Sequence, residues 1–302
     1  MIPYVREIKF DYGVVDQVSP LIRRVVANNP GPFTYLGTGT YIVGRGQVAV
    51  IDPGPDMADH LEAILAALEP GETVSHILIT HHHSDHSPLA GPLKARTGAP
   101  IYGCAVAHAP TDDSGVRMEA GHDHDFAPDV SLCGGGQVIE GPGWTIEAVA
   151  TPGHTSNHIC YALREENALF SGDHIMGWST TVITPPDGDM TDYMESLDKV
   201  KARGFSVLWP THGPPITEVT PFIEAYIAHR RAREAQVLKA VTEGHGRIRD
   251  MVPVLYADVD PRLHPAAARS VLGHMIDLVR RGLVTTDGTP GPDSEYRAVE
   301  RA

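Results

Sequence analysis

Short apolar runs bounded by glycine and proline follow one another through most of the chain, with amphipathic stretches between them. The short runs are rich in Val, Ile and Leu, which is typical of buried strands. Apolar residues spaced three and four apart predict the intervening helices. The predicted strands are 21–26, 40–43, 47–52, 75–79, 101–103, 144–149, 159–163, 168–170 and 206–210, and the predicted helices are 57–68, 89–96, 191–203 and 217–243.

The segment that follows strand 75–79 is dense in side chains that bind metals. It reads Thr80-His81-His82-His83-Ser84-Asp85-His86. His81 and His83 are two residues apart, so in an extended chain they point the same way. Asp85 and His86 come after the turn and face a neighbouring point, so these side chains converge on a volume that one or two metal ions fill. An expression tag would lie at a terminus and not behind a strand, so we favour a metal site.

Later strands end in the same kind of residue. His154 follows strand 144–149, Asp173 follows strand 168–170, and His212 follows strand 206–210. A lone histidine is usually a satisfied polar residue, but ligand types at the ends of several strands are improbable as independent accidents. A second cluster, His122-Asp123-His124-Asp125, lies in a stretch rich in Gly, Pro and Asp with no flanking strand. We interpret this cluster as a solvated loop.

Composition and length narrow the class of protein. The 302 residues, 42% of them apolar, are enough for one large domain plus a small one. Cys104, Cys133 and Cys160 are odd in number and form no C-x-x-C pair, which argues against a disulfide framework and predicts three small buried side chains. The start of the chain has no signal-peptide pattern and no stretch is long and apolar enough to span a membrane, so a cytoplasmic protein is expected.

The charge is unevenly distributed along the chain. Residues 1–228 hold 12 Lys/Arg and 28 Asp/Glu, a balance of −16, and residues 229–302 hold 12 and 10, a balance of +2, which together give the net charge of −14. An acidic body disfavours a polyanion as the default partner. Two zinc ions would add positive charge locally, so the site itself need not be negative.

These residues resemble the metallo-β-lactamase superfamily. Its motif H-x-H-x-D-H stands at residues 81–86, and its later single ligands match His154, Asp173 and His212. The resemblance implies an α/β fold, an αββα sandwich with a two-metal site at one edge. By family role, His81, His83 and His154 would hold one zinc ion, Asp85, His86 and His212 the second, and Asp173 would bridge them. Asp52 matches an aspartate that is usually structural in the family.

A closer resemblance, over nearly the whole chain, is to the branch that contains lactamase-beta-like protein 2 and its bacterial relatives. It is carried by 29–32, 37–41, 166–173 and 193–197. It implies a catalytic domain over 1–228 and a small winged-helix-like region over 229–302. In that region, 248–256 and 265–281 have the apolar faces of helices, and 283–286 and 295–299 fit wing strands. Such a region either binds nucleic acid or only packs against the rest of the protein. Its charge balance of only +2 favours packing. The apolar face of helix 217–243, with Val219, Phe222, Ile223 and Ile227, serves either the core or a homodimer.

A two-zinc site, with ions about 3.5–4 Å apart, holds a bridging hydroxide as nucleophile near neutral pH. We expect Asp85 to orient that hydroxide and handle its proton, and His158 either to contact the substrate or to support the site. The function expected first is hydrolysis of a small carbonyl substrate: a thioester, a lactone or a β-lactam. A single-strand-specific endoribonuclease is the alternative, and it needs a positive channel built from Arg230, Arg231, Arg233, Arg247 and Arg249. A mononuclear iron persulfide dioxygenase is a further alternative that metal analysis would separate.

Overall fold

Two β-sheets lie face to face, and their buried faces form the centre of the protein. The computed structural model describes residues 1–106, 121–257, 261 and 264–299. Within them, the first sheet runs in chain order from β1 to β7, and the second has the order β12-β11-β10-β9-β8. The strands of the first sheet are β1 Val15–Gln17, β2 Ile22–Val26, β3 Gly39–Val43, β4 Gln47–Ile51, β5 Thr73–Leu78, β6 Ile101–Gly103 and β7 Val130–Ser131. Those of the second are β8 Val138–Gly141, β9 Trp144–Ala150, β10 Ile159–Leu163, β11 Ala168–Gly172 and β12 Val207–Pro210.

Helices cover the outer face of each sheet. Helices α1 Ala58–Ala66 and α2 Ala90–Thr97 pack on the first sheet through a core that includes Ile64 and Leu93. Helices α3 Met190–Arg203 and α4 Val219–Thr242 pack on the second through Tyr193 and Phe222. The layers therefore form the expected αββα sandwich. Large apolar side chains such as Trp144 and Phe170 fill the space between the sheets, where burial of each contributes about 2–3 kcal/mol.

Parallel strand pairs place the strand ends that precede the candidate metal-binding residues at one edge of the sandwich. Strands β4 and β5 are parallel neighbours in the first sheet, and β11 and β12 are parallel neighbours in the second. Helix α1 makes the crossover between β4 and β5, as parallel pairing requires. Thr80 after β5 and Thr211 after β12 both donate to the carboxylate of Asp52 after β4, so the carboxyl ends of the two sheets meet at one edge of the sandwich, where α/β sheets usually bind ligands.

The C-terminal region has its own small core. It comprises α5 Ile248–Leu255, α6 His264–Arg280 and the antiparallel pair β13 Val284–Thr286 and β14 Tyr296–Ala298. Val271, Met275 and Tyr296 are buried in this core together with Val237 and Val241 from the end of α4. The predicted helices and wing strands are confirmed to within a residue or two. The boundary at residue 228 stays a prediction: it falls inside α4, after Ile227, which is still in the core between the second sheet and its helices.

The αββα sandwich and the C-terminal region contact each other through polar pairs. Arg280 on α6 donates to Asp189 at the start of α3, with an N–O distance of 2.6 Å, and Thr191 donates to Asp277 at 2.6 Å. The apolar face of α4 near Phe222 and Ile223 is buried within this chain, so of the two uses predicted for it the core is confirmed. None of the described helices is long and apolar enough to cross a membrane.

The cysteine prediction was wrong in part. Cys104 and Cys133 form a disulfide with an S–S distance of 2.00 Å, across 29 residues of sequence. Cysteine number and spacing did not reveal this pair, because only the fold brings the segment after β6 next to the segment after β7. Cys160 is a buried free cysteine, as predicted, and burial raises the pKa of its thiol to about 12.

Candidate metal centre

The carboxylate of Asp52 connects the segments that carry the candidate metal-binding residues. It follows β4 and is fully buried, with a left-handed backbone φ of 47°. Its Oδ1 accepts the Thr80 backbone N–H at 2.8 Å. Its Oδ2 accepts the Thr80 hydroxyl at 2.8 Å, the Thr211 hydroxyl at 2.9 Å and Nδ1 of His86 at 2.8 Å. One carboxylate therefore joins the ends of β4, β5 and β12, and because Nδ1 of His86 donates to it, Nε2 is the nitrogen of His86 that faces the site.

The first group of donors consists of three histidines. Nε2 of His81 lies 2.9 Å from Nδ1 of His83, and Nε2 of His154 lies 3.2 Å from the same atom. All three are buried, and their ligand atoms lie within 4.8 Å of one another. His154 donates from Nδ1 to the Val182 carbonyl at 2.7 Å, which fixes the ring with Nε2 facing the others.

The second group combines two histidines with one carboxylate. Nε2 of His212 lies 3.2 Å from Oδ2 of Asp85, and Nε2 of His86 lies 3.7 Å from Oδ1 of Asp85. His212 donates from Nδ1 to the Gly37 carbonyl at 3.2 Å, so its Nε2 also faces the site. These three side chains also meet the geometric condition for a shared metal ion.

Asp173 lies between the two groups. Its Oδ1 is 3.6 Å from Nε2 of His86 and 3.5 Å from Nε2 of His212. Its Oδ2 is 3.8 Å from Nε2 of His154. One oxygen of the same carboxylate therefore faces each group.

Within the part of the chain that the structure describes, several of these atoms are buried without a hydrogen-bond partner, which ordinarily costs free energy. They are Oδ1 of Asp85, Nε2 of His86, Oδ1 of Asp173 and Nε2 of His212. A bound cation would satisfy all four at once. The mixture of imidazole nitrogen and carboxylate oxygen suits zinc and other first-row transition metals, so the residues present fit a metal centre.

The pKa values of the side chains shift differently in the two groups of donors. Burial and the neighbouring imidazoles hold the pKa of His81 and of His83 well below the usual value, which keeps both in the neutral form that binds metals. Burial opposes a charge on His86, yet the carboxylates of Asp85, Asp173 and Asp52 raise its pKa well above the usual value. The pKa of Asp173 is lowered in turn by His212 and His86, which outweigh burial. The carboxylates of Asp85 and Asp173 are therefore ionised and face the protonated His86 ring, whose Nε2 proton a bound metal ion would displace.

His158 is buried and both of its ring nitrogens have partners. Nδ1 lies 2.9 Å from the Thr151 hydroxyl, and Nε2 accepts the Asp173 backbone N–H at 3.2 Å. This geometry favours the supporting role over substrate contact, because the ring holds the loop that presents Asp173. A role for His158 in catalysis stays a prediction.

Residues 121–125 contact the histidine-rich segment at residues 81–86. His122 is half-buried, with Nδ1 2.8 Å from Nε2 of His82, and Asp123 accepts the Ser87 hydroxyl at 2.6 Å. The interpretation of this cluster as a solvated loop was therefore wrong for His122 and Asp123. It failed because the contacts are long-range and no local pattern marks them. Residues 107–120 of the same predicted loop lie outside the described residues.

An apolar wall flanks the metal donors. A cavity of about 50 Å³ is lined by the metal donors His83, Asp85, His154 and Asp173, by the apolar side chains of Pro32, Phe33, Met176, Trp178 and Val182, and by Ser179 and Thr180. Trp178 stacks on Tyr35 with ring centroids 4.9 Å apart. Sequence analysis missed this wall, because its residues come from irregular segments with no motif or periodicity.

His60 on α1 makes stability depend on pH. Burial lowers the pKa of His60 to about 4, and its Nε2 lies 2.9 Å from the Thr40 hydroxyl, which itself donates to the Asp52 carbonyl. Nε2 of His60 is therefore the donor, and protonation would place a second N–H at the buried, unpartnered Nδ1. The folded-state pKa is depressed, so the stability this gives is complete above about pH 6.5 and is lost as pH falls toward 4. About 2 kcal/mol should be lost between pH 7.5 and 5.

Urea unfolding of the wild type and of His60→Gln at both pH values measures this contribution. The glutamine keeps an N–H toward Thr40 and cannot titrate. We expect the free energy of unfolding of the variant to fall by about 2 kcal/mol less than that of the wild type over this pH range. An equal fall in both proteins would contradict the assignment.

The chain is an αββα sandwich whose strand ends present buried histidine and aspartate side chains. It is therefore an α/β protein whose residues are arranged to bind metal. Comparison with known proteins identifies the family. The model of the metallo-beta-lactamase superfamily matches residues 35–212, and that of the beta-lactamase associated winged helix domain matches residues 248–292. The chain therefore belongs to the metallo-β-lactamase superfamily and is a metal-dependent hydrolase with a C-terminal winged-helix domain.

Individual relatives agree with this assignment. The chain is 33% identical to the beta-lactamase-like protein 2 homolog of Caenorhabditis elegans, over 89% of this chain and 88% of that protein. It is 30% identical to an atrochrysone carboxyl ACP thioesterase of Aspergillus novofumigatus, over 92% of this chain and 83% of that protein. A beta-lactamase domain protein from Burkholderia ambifaria shares the fold, with a TM-score of 0.80 and 21% identity over 97% of this chain and 96% of that one.

Proposed function

We propose that the chain is a dinuclear zinc hydrolase that acts on a small carbonyl substrate, with a thioester as the first choice. The observation that carries the proposal is Asp173, whose two oxygens face two separate groups of donors. His81, His83 and His154 would hold one ion, and Asp85, His86 and His212 the other. Two zinc ions in these positions would supply a hydroxide nucleophile and polarise the substrate carbonyl.

The protein's own residues would position the reaction. Asp85 is ionised, because the nearby His86 and His212 lower its pKa against the effect of burial. Its carboxylate has two oxygens, so while one of them holds the metal ion the other would orient the attacking water and accept its proton. The apolar wall of Phe33, Met176 and Trp178 would exclude bulk water from the reacting carbonyl.

The dimensions of the site support a small reacting group. About 50 Å³ is far less than the roughly 300–1,000 Å³ of a pocket that encloses a whole drug-sized ligand. Such a cavity admits a reacting carbonyl and leaves the rest of the substrate outside. A thioester agrees with this, since the acyl group and its carrier are separate parts, and one relative is named as a thioesterase of an acyl carrier protein. Lactones and β-lactams remain within the proposed class.

The arginines needed for an RNA channel are mostly engaged elsewhere. Arg230 is buried, and Arg233 lies over the Tyr256 ring at 4.2 Å. Arg247 pairs with Glu295 at 3.3 Å, and Arg249 lies 3.9 Å from the Asp250 carboxylate. The endoribonuclease alternative therefore gains no support from these residues.

A cytoplasmic location also stays a prediction.

Metal analysis followed by a substrate panel tests the proposal. The same preparation should be assayed with a thioester, a lactone, a chromogenic β-lactam and single-stranded RNA. We expect at least two zinc ions per chain, with hydrolysis of the thioester and intact RNA. RNA cleavage that is lost in His83→Ala would instead support the nuclease. A single iron with no hydrolysis would reject both and favour the dioxygenase.

A further inference from the structure

A third group of metal-type side chains lies beside the proposed dinuclear centre. His82 comes from the motif, His122 from the loop that returns to it, and Asp187 from the segment before α3. Their ligand atoms lie within 4.8 Å of one another. None of the three belongs to the two donor groups described above, although the His82 and His83 rings are only 5.9 Å apart.

The hydrogen bonds of His82 fix its tautomer. Asn157 donates from Nδ2 to the Cys104 carbonyl at 2.8 Å, and its Oδ1 accepts the Thr155 hydroxyl at 2.9 Å. This orients the amide, so the contact of 3.0 Å between His82 Nδ1 and Asn157 Oδ1 has the histidine as donor. Nε2 of His82 therefore carries the lone pair, and it points at Nδ1 of His122, 2.8 Å away. A metal-binding histidine is usually oriented in this way through its other nitrogen.

Asp187 supplies a carboxylate oxygen that no donor of the described residues reaches. Asp187 is 9% exposed, and its Oδ1 accepts the Ser156 backbone N–H at 3.2 Å. Its Oδ2 is buried and accepts no hydrogen bond from any residue that the structure describes. A buried carboxylate oxygen without a donor is costly unless a cation or a water satisfies it.

The loop that carries His122 is held in place by the motif itself. The Asp123 N–H donates to the His82 carbonyl at 2.7 Å, and the Ser84 N–H donates to the Gly121 carbonyl at 2.7 Å. Together with the Ser87–Asp123 hydrogen bond, these contacts fix the backbone on both sides of His122. His82 and His122 are therefore presented from fixed backbone, as a metal site requires.

We propose that His82, His122 and Asp187 form a third metal site, which takes a zinc-type divalent ion. Two imidazole nitrogens and one carboxylate oxygen are a common zinc donor set, and three protein ligands leave one position for water. When the ion binds, Nε2 of His82 and Nδ1 of His122 both donate lone pairs to it, so the His122 ring carries its proton on Nε2. Without the ion, a hydrogen bond from His122 Nδ1 to His82 Nε2 occupies the same space.

Counting bound ions tests the proposal without reference to activity. Metal-free full-length protein would be dialysed against a defined concentration of free Zn²⁺ and its metal content measured. We expect His122→Ala and Asp187→Asn each to bind one ion fewer than the wild type. His124→Ala is the matched control, since His124 is an exposed neighbour on the same loop, and it should bind as many ions as the wild type. Asp187→Asn keeps an oxygen for the Ser156 N–H and is the variant that disturbs the fold least.

A variant of the main centre separates this proposal from the dinuclear one. Asp173→Ala should lose ions from the main centre and keep one, and the double variant with His122→Ala should lose that ion as well. Equal zinc contents in the wild type, His122→Ala and Asp187→Asn would overturn the third site, whatever the dinuclear centre binds. A loss in His124→Ala as large as in His122→Ala would also reject it.

Discussion

Asp173→Asn is expected to lower kcat/KM for a thioester substrate by more than about 100-fold and to reduce the bound metal. Asp173 is the residue whose oxygens face both donor groups, at 3.5 and 3.6 Å from His212 and His86 and at 3.8 Å from His154. The substitution keeps the shape and removes the charge that would neutralise two cations. Residues that only orient metal ligands typically contribute 10- to 100-fold, so a bridging carboxylate should contribute more.

The measurement combines steady-state kinetics with metal analysis on the same protein. Asp198→Asn is a matched control, because Asp198 is an exposed aspartate on α3. We expect that control to retain the kcat/KM and metal content of the wild type. A fully active Asp173→Asn protein with the wild-type metal content would refute the bridging role.

Asp52→Asn is expected to lower the free energy of unfolding of the metal-free protein by about 2–4 kcal/mol. Every contact of the Asp52 carboxylate is with a donor: one backbone N–H on Oδ1, and two hydroxyls and the His86 N–H on Oδ2. An asparagine amide places its own N–H₂ against a donor in either orientation. The loss arises from this mismatch and not from backbone strain, because asparagine tolerates the left-handed conformation observed at this position.

Urea unfolding of the metal-free proteins separates this effect from metal loss. Thr211→Val is the graded comparison, because it removes a single hydroxyl from the same carboxylate and should cost about 1 kcal/mol. With metal restored, Asp52→Asn should also bind the ions 10- to 100-fold more weakly, since His86 loses its orienting partner. Equal stability of Asp52→Asn and the wild type would show that the Asp52 carboxylate does not stabilise the fold.

The strands that sequence analysis missed are the short ones at sheet edges. β1 and β7 are the two edges of the first sheet, and β8 is an edge of the second. They have two to four residues each and are largely exposed, so they lack the apolar run that marks a buried strand. The central strands were predictable because both of their faces are buried, which imposes a continuous apolar run.

The sequence by itself determined the donors of the proposed metal centre and the order of the main elements. His81, His154, Asp173 and His212 each follow a strand, and strand ends can be recognised locally from apolar runs and turns. The grouping of the donors, with Asp173 between the two groups, was expected only from the family resemblance, because no local pattern specifies it. Only the tertiary structure buried His158 behind Asp173, joined Cys104 to Cys133 and brought His122 to His82 and Asp187. These contacts join residues far apart in the chain, and they are set by packing of the two sheets and their loops, for which local periodicity carries no signal.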